Sequence, residues 1–325
     1  MRLDINKLKQ GHLRTLSKSI TLIESQRQQD ITCARELLSH YDPSSYPSIR
    51  IAISGPPGVG KSTFIEALGM ELSERGKKIA VLAIDPSSPI SGGSLLGDKT
   101  RMENLARQEN VFIRPTPSTG TLGGVGQRTL DTINLCELAG FEIIIIETVG
   151  VGQSELDALN LSDYFVVLSQ PGSGDDLQGV KKGIVEVADA LIINKADGDL
   201  LEAANRAKND LLSAAQLSGR HEKVLVESIS SLNRDDIKKL WQQIQSKIQS
   251  AKKSGEFQLR RDTQKQFWIQ NYLKLEFALF IQQDIEFNTS FQEKIKQFEF
   301  NDNFTHPRWI AHNLFKDLIP GRPKS

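Results

Sequence analysis

The segment Gly55-Pro56-Pro57-Gly58-Val59-Gly60-Lys61-Ser62-Thr63 carries a full G-x-x-x-x-G-K-S/T match. Its glycines let backbone N–H groups turn inward around phosphate oxygens, and a helix opening at its end adds a favourable dipole. Lys61 is expected to reach the β- and γ-phosphates and to act in their hydrolysis. The Ser62 hydroxyl is expected to complete a Mg²⁺ shell. The setting supports the motif, because an apolar strand precedes it and a helical pattern follows.

Base choice is carried by Asn194-Lys195-Ala196-Asp197, directly after another predicted strand. A carboxylate there can accept hydrogen bonds from the N1–H and 2-amino groups of guanine. Adenine lacks that donor pair and would leave the carboxylate unmatched, so the site selects GTP. Ser230-Ser231-Leu232 follows a further strand and is placed to cover the base from the opposite side.

Three carboxylates complete the set. Glu147 ends the run Ile143–Ile146 and opens Glu147-Thr148-Val149-Gly150. At that strand tip it faces the phosphates, as a catalytic and Mg²⁺-binding group, where most GTPases of this class use Asp. Asp85 follows the strand Ile79–Ile84, and Asp98 sits in the Gly-rich stretch Gly92–Met102. Each can hold Mg²⁺ directly or through water.

These loops need strands to carry them. Between Arg50 and about Leu240, apolar runs at 51–54, 79–84, 111–114, 143–147, 164–169, 190–194 and 223–227 alternate with helical patterns. Runs that are nearly all apolar belong to parallel strands buried on both faces. The expected fold is α/β: a doubly wound, mostly parallel sheet forming a P-loop GTPase domain over residues 46–254. A helical N-terminal extension is expected over 1–45, since Leu13, Leu16, Ile20 and Ile23 recur at helical spacing and Tyr41–Pro47 breaks the pattern. A helical C-terminal arm is expected over 255–325, where ten of the 14 phenylalanines lie. There Trp268, Tyr272, Leu275 and Leu279 would share one helix face, and Phe287, Phe291, Ile295 and Phe298 another. Two helices alone bury aromatic faces poorly, so the arm is expected to dimerise.

The 325 residues hold 40 basic and 40 acidic side chains, a net charge of zero that gives no footprint for nucleic acid. No apolar run reaches the length of a membrane span, and the N-terminus lacks an apolar signal core, so a cytoplasmic location is expected. The basic residues among 1–23 leave a short organellar targeting segment open. Cys33 and Cys136 make neither a disulfide framework nor a CxxC pair.

Taken in order, the P-loop, Asp85–Ser88 (DPSS), 92–102 (GGSLLGDKTRM), 114–125 (RPTPSTGTLGGV), 147–155 (ETVGVGQSE), 172–183 (GSGDDLQGVKKG) and 194–199 (NKADGD) resemble the MeaB/ArgK family of GTPases associated with methylmalonyl-CoA mutase. Residues 19–25 (SITLIES) are similar to the family's N-terminal helix. The resemblance implies a G-protein chaperone of an adenosylcobalamin-dependent acyl-CoA mutase that gates cofactor loading and protects or rescues the mutase. It implies phosphate binding by Gly55–Thr63 and guanine binding by Asp197 and Ser230–Leu232. Magnesium and switching fall to Ser62, Asp85, Asp98 and Glu147, and partner sensing to Gly172–Gly183. Ser231 departs from the Ala more often found there.

Two other functions compete. A nickel metallochaperone GTPase would need a Cys/His cluster, and His12, His40, His221, His306 and His312 are scattered. A kinase supporting basic amino-acid uptake would need ATP, against which the Asp197 signature argues.

Overall fold

The structure, a computed structural model, describes residues 4–25, 27–85, 102–117, 124–148, 154–171, 187–220 and 223–283. Three helices lead: α1 (Ile5–Lys9), α2 (Leu13–Glu24) and α3 (Gln28–Leu38). Asp4 caps the first through the N–H groups of Asn6 and Lys7, and His12 Nδ1 accepts Thr15 N–H at the start of the second. Then β1 (Ile49–Ser54), α4 (Lys61–Glu74), β2 (Ile79–Asp85), α5 (Glu103–Ala106), β3 (Val111–Pro117), α6 (Gly124–Leu138) and β4 (Ile143–Thr148) follow. The chain continues through α7 (Ser154–Leu161), β5 (Tyr164–Ser169), β6 (Ala190–Ile193), α8 (Leu201–Leu217), β7 (Leu225–Ser228), α9 (Arg234–Ser254) and α10 (Glu256–Gln283).

The seven strands form one sheet in the order β3-β2-β4-β1-β5-β6-β7, with every pairing parallel. All seven expected strands are present. The last is shifted from 223–227 to Leu225–Ser228, and β6 stops at Ile193, leaving Asn194 just beyond it. Burial on both faces explains the near-continuous apolar runs. Ile51, Ile53, Ile143, Ile145 and Val166 pack with Phe64, Ile65 and Leu68 of α4 and with Ile237, Leu240, Trp241 and Ile244 of α9. Ala52, Ile144, Ile146 and Phe165 between them are fully buried as well. Each such Ile, Leu, Val or Phe side chain contributes roughly 1.5–3 kcal/mol.

One compact unit spans residues 1–268 and a second spans 269–325. Within the first, an ionic network gathers at the amino ends of β1, β5 and β6. Arg50 donates to Glu137 through Nε (2.8 Å) and Nη2 (2.7 Å), while Ser48 and Tyr41 hydroxyls donate to the same carboxylate. Burial alone would raise the Glu137 pKa, but the Arg50 guanidinium overrides it and holds the carboxyl below its ordinary value. Burial and then the Glu137 charge push the Tyr41 phenol up. The first turns of α10 join this network. Arg261 binds Asp163, and Arg260 bridges the Asp163 carbonyl (2.6 Å) and both Asp189 oxygens (2.7 and 2.8 Å).

Further along α10, Gln264 Nε2 donates to the carbonyls of Leu159 and Ser162, and Trp268 Nε1 donates to the Asn160 carbonyl. These cap the carboxyl end of α7, whose last carbonyls lack helical partners. Trp268 is therefore buried within the first unit. Of its expected stripe partners, Tyr272 and Leu275 are half-buried, and the Leu279 side chain lies outside the described residues. Among the described residues of the second unit, Ile269, Leu273 and Phe277 are exposed apolar side chains, four residues apart. Phe287, Phe291, Ile295 and Phe298 lie outside the described residues.

Candidate nucleotide site

The motif loops leave the carboxyl edge of the sheet, the edge where open parallel sheets bind ligands. Ser54 ends β1, and the loop 55–60 leads into α4. Gly55 has φ +151°, and a β-carbon there would lie 2.5 Å from the Leu168 carbonyl oxygen. Gly60, at the N-cap of α4, has φ +95°, and a β-carbon would meet Asn194 Nδ2 at 2.7 Å. Both positions require glycine. Val59 turns into the core instead of toward a ligand and is fully buried, which pins the loop beneath the sheet edge. Pro56 and Pro57 restrict the chain between the glycines. Lys61 Nζ donates to the carbonyls of Gly55 (2.7 Å) and Pro56 (3.1 Å), so the ammonium lies over the loop. Thr63 is exposed on the first turn, whereas Phe64 and Ile65 anchor the helix in the core.

Register places Glu147 beside Ile53 of β1, and Ser62 Oγ donates to Glu147 Oε1 at 3.3 Å. A hydroxyl and a carboxylate oxygen side by side suit a hard cation such as Mg²⁺. No group of three or more His, Cys, Asp or Glu gathers around a metal position among the described residues. An ion bound here would need phosphate and water oxygens for the rest of its shell, as Mg²⁺ commonly does. Asp85 is the last residue of β2, which ends at the same sheet edge. Its side chain, Asp98, Gln153 and Gly172–Gly183 lie outside the described residues.

The segments expected to select the base follow β6 and β7. Asn194, almost fully buried, donates from Nδ2 to the Val59 carbonyl (2.9 Å). Its Oδ1 accepts Ser231 N–H (3.1 Å) and Ser231 Oγ–H (2.7 Å). One amide thus ties the phosphate loop to both base loops. The small Ser231 adds a hydroxyl donor to that tie. Lys195 is the one described non-glycine residue with positive φ, at +62°. That backbone costs about 1–3 kcal/mol and aims Nζ at the Gly58 carbonyl (2.6 Å) and Gln170 Oε1 (3.1 Å).

Asp197 precedes a 3-10 turn at Gly198–Leu200, but its carboxylate makes no cap bond to that turn. It accepts the Ser230 hydroxyl instead and is itself exposed. Leu232 is 81% exposed, leaving an apolar side chain on the rim of the 230–233 turn, which the Asn233 N–H closes onto the Ser230 carbonyl. The arrangement offers a fixed acceptor pair for a base edge, next to a loop shaped for phosphates.

Asp236 and Gln170 belong to this assembly and were not singled out from the sequence. Asp236 Oδ2 accepts Ser230 N–H at 3.0 Å. Asn233 and Asp236, three apart before an apolar helix, form a capping-box-like signal that could have marked the turn. Gln170 carries no such signal.

Comparisons with known proteins agree with this geometry. The family model described as methylmalonyl Co-A mutase-associated GTPase MeaB matches residues 16–281. The chain is 42% identical over 287 residues to the GTPase ArgK of Escherichia coli, covering 87% of each. It is 46% identical over 261 residues to a probable GTPase of Mycobacterium tuberculosis, covering 79% of this chain and 78% of the relative. It is also 43% identical over 283 residues to the mouse mitochondrial methylmalonic aciduria type A homolog, covering 82% of this chain and 68% of the relative. Among solved structures it is similar to a LAO/AO transport system kinase, with a TM-score of 0.73 and 32% identity over 97% of this chain and 96% of that one.

Proposed function

Because the chain belongs to the family of methylmalonyl-CoA mutase-associated GTPases, we propose that it is a chaperone of an adenosylcobalamin-dependent acyl-CoA mutase, gating cofactor loading and protecting or reactivating its client. The chain is a GTPase, converting GTP to GDP and phosphate. The family match across residues 16–281 is the observation that carries the mutase assignment.

In this reading the backbone N–H groups of Gly55, Gly58, Val59 and Gly60 and the first turn of α4, through Thr63, hold the phosphates, in a loop that Pro56 and Pro57 shape. Lys61 leaves its carbonyl partners to neutralise charge developing on the transferred group. Ser62 and Glu147, with Asp85 and Asp98, would hold Mg²⁺, which would offset the charge of the phosphates. Asn194, Lys195, Asp197 and Ser230–Leu232 orient guanine. Residues 255–325 act as a homodimerisation arm, a role supported by the exposed Ile269, Leu273 and Phe277.

The test is GTP turnover by the full chain with and without purified methylmalonyl-CoA mutase. A partner that completes a GTPase site can accelerate hydrolysis on the order of 10³–10⁵-fold. Stimulation is expected, and Gln178→Ala or Lys181→Ala should reduce it while sparing the basal rate. Absence of both stimulation and complex formation overturns the mutase assignment. Phosphoryl transfer to a protein would favour a transport-associated kinase instead, the activity named for the similar solved structure.

A further inference from the structure

We propose that Asp236 is a positioning residue for base recognition, acting through Ser230 on the carboxylate of Asp197. The inference rests on the reading that Asp197 binds guanine. Ser230 is 4% exposed, and each of its polar groups has a partner. Its N–H donates to Asp236 Oδ2 (3.0 Å), its hydroxyl donates to Asp197, its Oγ accepts Leu232 N–H (3.3 Å), and its carbonyl accepts Asn233 N–H (3.0 Å). The hydroxyl can bind Asp197 only while the 230–233 turn keeps this shape. Asp236 is the side chain that fixes the turn from the α9 side.

The physical need for such a residue lies in Asp197 itself. Its carboxylate is exposed and forms no bond to its own turn. Among the described residues, its hydrogen-bond donor is Ser230 Oγ. An exposed carboxylate is otherwise free to turn about its side-chain bonds, and each binding event would then have to order it. Asp236 is in the first turn of α9, where the helix N-terminus favours a negative side chain, so it is anchored on a rigid element. Ser230 also keeps the two carboxylates apart, using one donor for each.

Removing this support costs affinity for every guanine nucleotide alike and leaves the remote phosphoryl chemistry untouched. Asp236→Ala should therefore raise the GTP KM and the GDP Kd about five- to tenfold, with kcat close to wild type. It should also lower the preference for GTP over inosine triphosphate, which lacks the 2-amino group that a correctly turned Asp197 would read. Asp236→Asn keeps an oxygen acceptor and should restore both values. A role limited to capping α9 would instead lower the melting temperature and leave the GTP-to-inosine triphosphate ratio unchanged.

Asp236→Glu keeps the first-turn charge but displaces the carboxylate by one methylene. It should lower the same ratio at near wild-type stability, and it serves if Asp236→Ala does not fold. Asp197→Asn is measured in parallel with xanthosine triphosphate. If it shifts preference toward that nucleotide while the Asp236 variants keep wild-type KM and ratio, the Asp236 inference alone is overturned. If Asp197→Asn leaves preference unchanged, the guanine reading fails and this inference with it.

Discussion

Arg261 forks onto Asp163, with Nε 2.7 Å from Oδ1 and Nη2 2.6 Å from Oδ2. The Asp163 side chain is wholly buried and its Oδ2 also accepts Arg50 N–H, so one carboxylate joins α10 to the start of β1. Phe257 supports the fork, with the Arg261 guanidinium 4.9 Å and Lys252 Nζ 4.8 Å from its ring centre.

Deleting one partner of such a buried pair leaves an uncompensated charge. Arg261→Ala should lower stability by roughly 3–5 kcal/mol in urea unfolding. Arg206→Ala, whose ion pair with Glu202 is exposed on α8, should stay within about 0.5 kcal/mol. Equal effects would show that the fork contributes no more than a surface pair.

Chain length tests the same contact. A protein ending at Ser254 loses Arg260, Arg261, Gln264 and Trp268 together, and it should fail to give a cooperative melt. One ending at Gln270 keeps all four and should melt cooperatively and bind GDP. A cooperative melt from the shorter chain would mean that α10 is dispensable for the first unit.

Acid sensitivity follows from Glu137. Its folded pKa lies below the ordinary value of 4.5, so its contribution to stability is complete above that value and is lost as pH falls through the depressed one. Glu137→Gln should be less stable at pH 7 but lose less stability between pH 5 and the acid limit. Parallel stability curves for the two proteins would remove Glu137 as a source of the acid response.

Within the P-loop, Lys61→Ala should abolish measurable hydrolysis without lowering the melting temperature by more than a degree or two. The ammonium contacts two loop carbonyls, whereas in the proposed function its charge acts on the transferred phosphoryl group. Wild-type turnover in the variant would contradict that role.

Two glycine substitutions in the same loop should differ. Gly58 and Gly60 both have positive φ, but a β-carbon at Gly58 meets nothing within 4 Å, while one at Gly60 meets Asn194 Nδ2 at 2.7 Å. Gly60→Ala should weaken GDP binding far more than Gly58→Ala, as read by calorimetry, because it displaces the amide that joins three loops. Equal losses would place the effect in backbone strain alone.

The placement of the P-loop and of the segments at 194–197 and 230–232 after β1, β6 and β7 was legible because each is a short contiguous string directly following an apolar run. Their strands were legible because burial on both faces leaves long apolar runs. The network at the other edge was not. Arg50 meets Glu137, and Asp163 meets Arg261, across 87 and 98 residues of chain, and nothing in either neighbourhood announces the partner. Trp268 follows an apolar helical spacing, but its indole N–H partner at Asn160 lies 108 residues away and nothing near either residue announces it. Asp85, Asp98 and Gly172–Gly183 remain readings of sequence.

The two edges of the sheet carry separate chemistries: motif loops leave the carboxyl ends of the strands, and interlocked charges fasten the amino ends. A strand of six residues, such as β1, spans about 20 Å, beyond the reach of direct screened electrostatics between the edges. Thermal hardening and enzymatic tuning are therefore separable tasks in this protein. Substitutions around Glu137 and Asp163 should adjust the melting temperature without altering nucleotide binding, and substitutions around Asp197, on the proposed reading, should change the choice of nucleotide in a scaffold that melts as before.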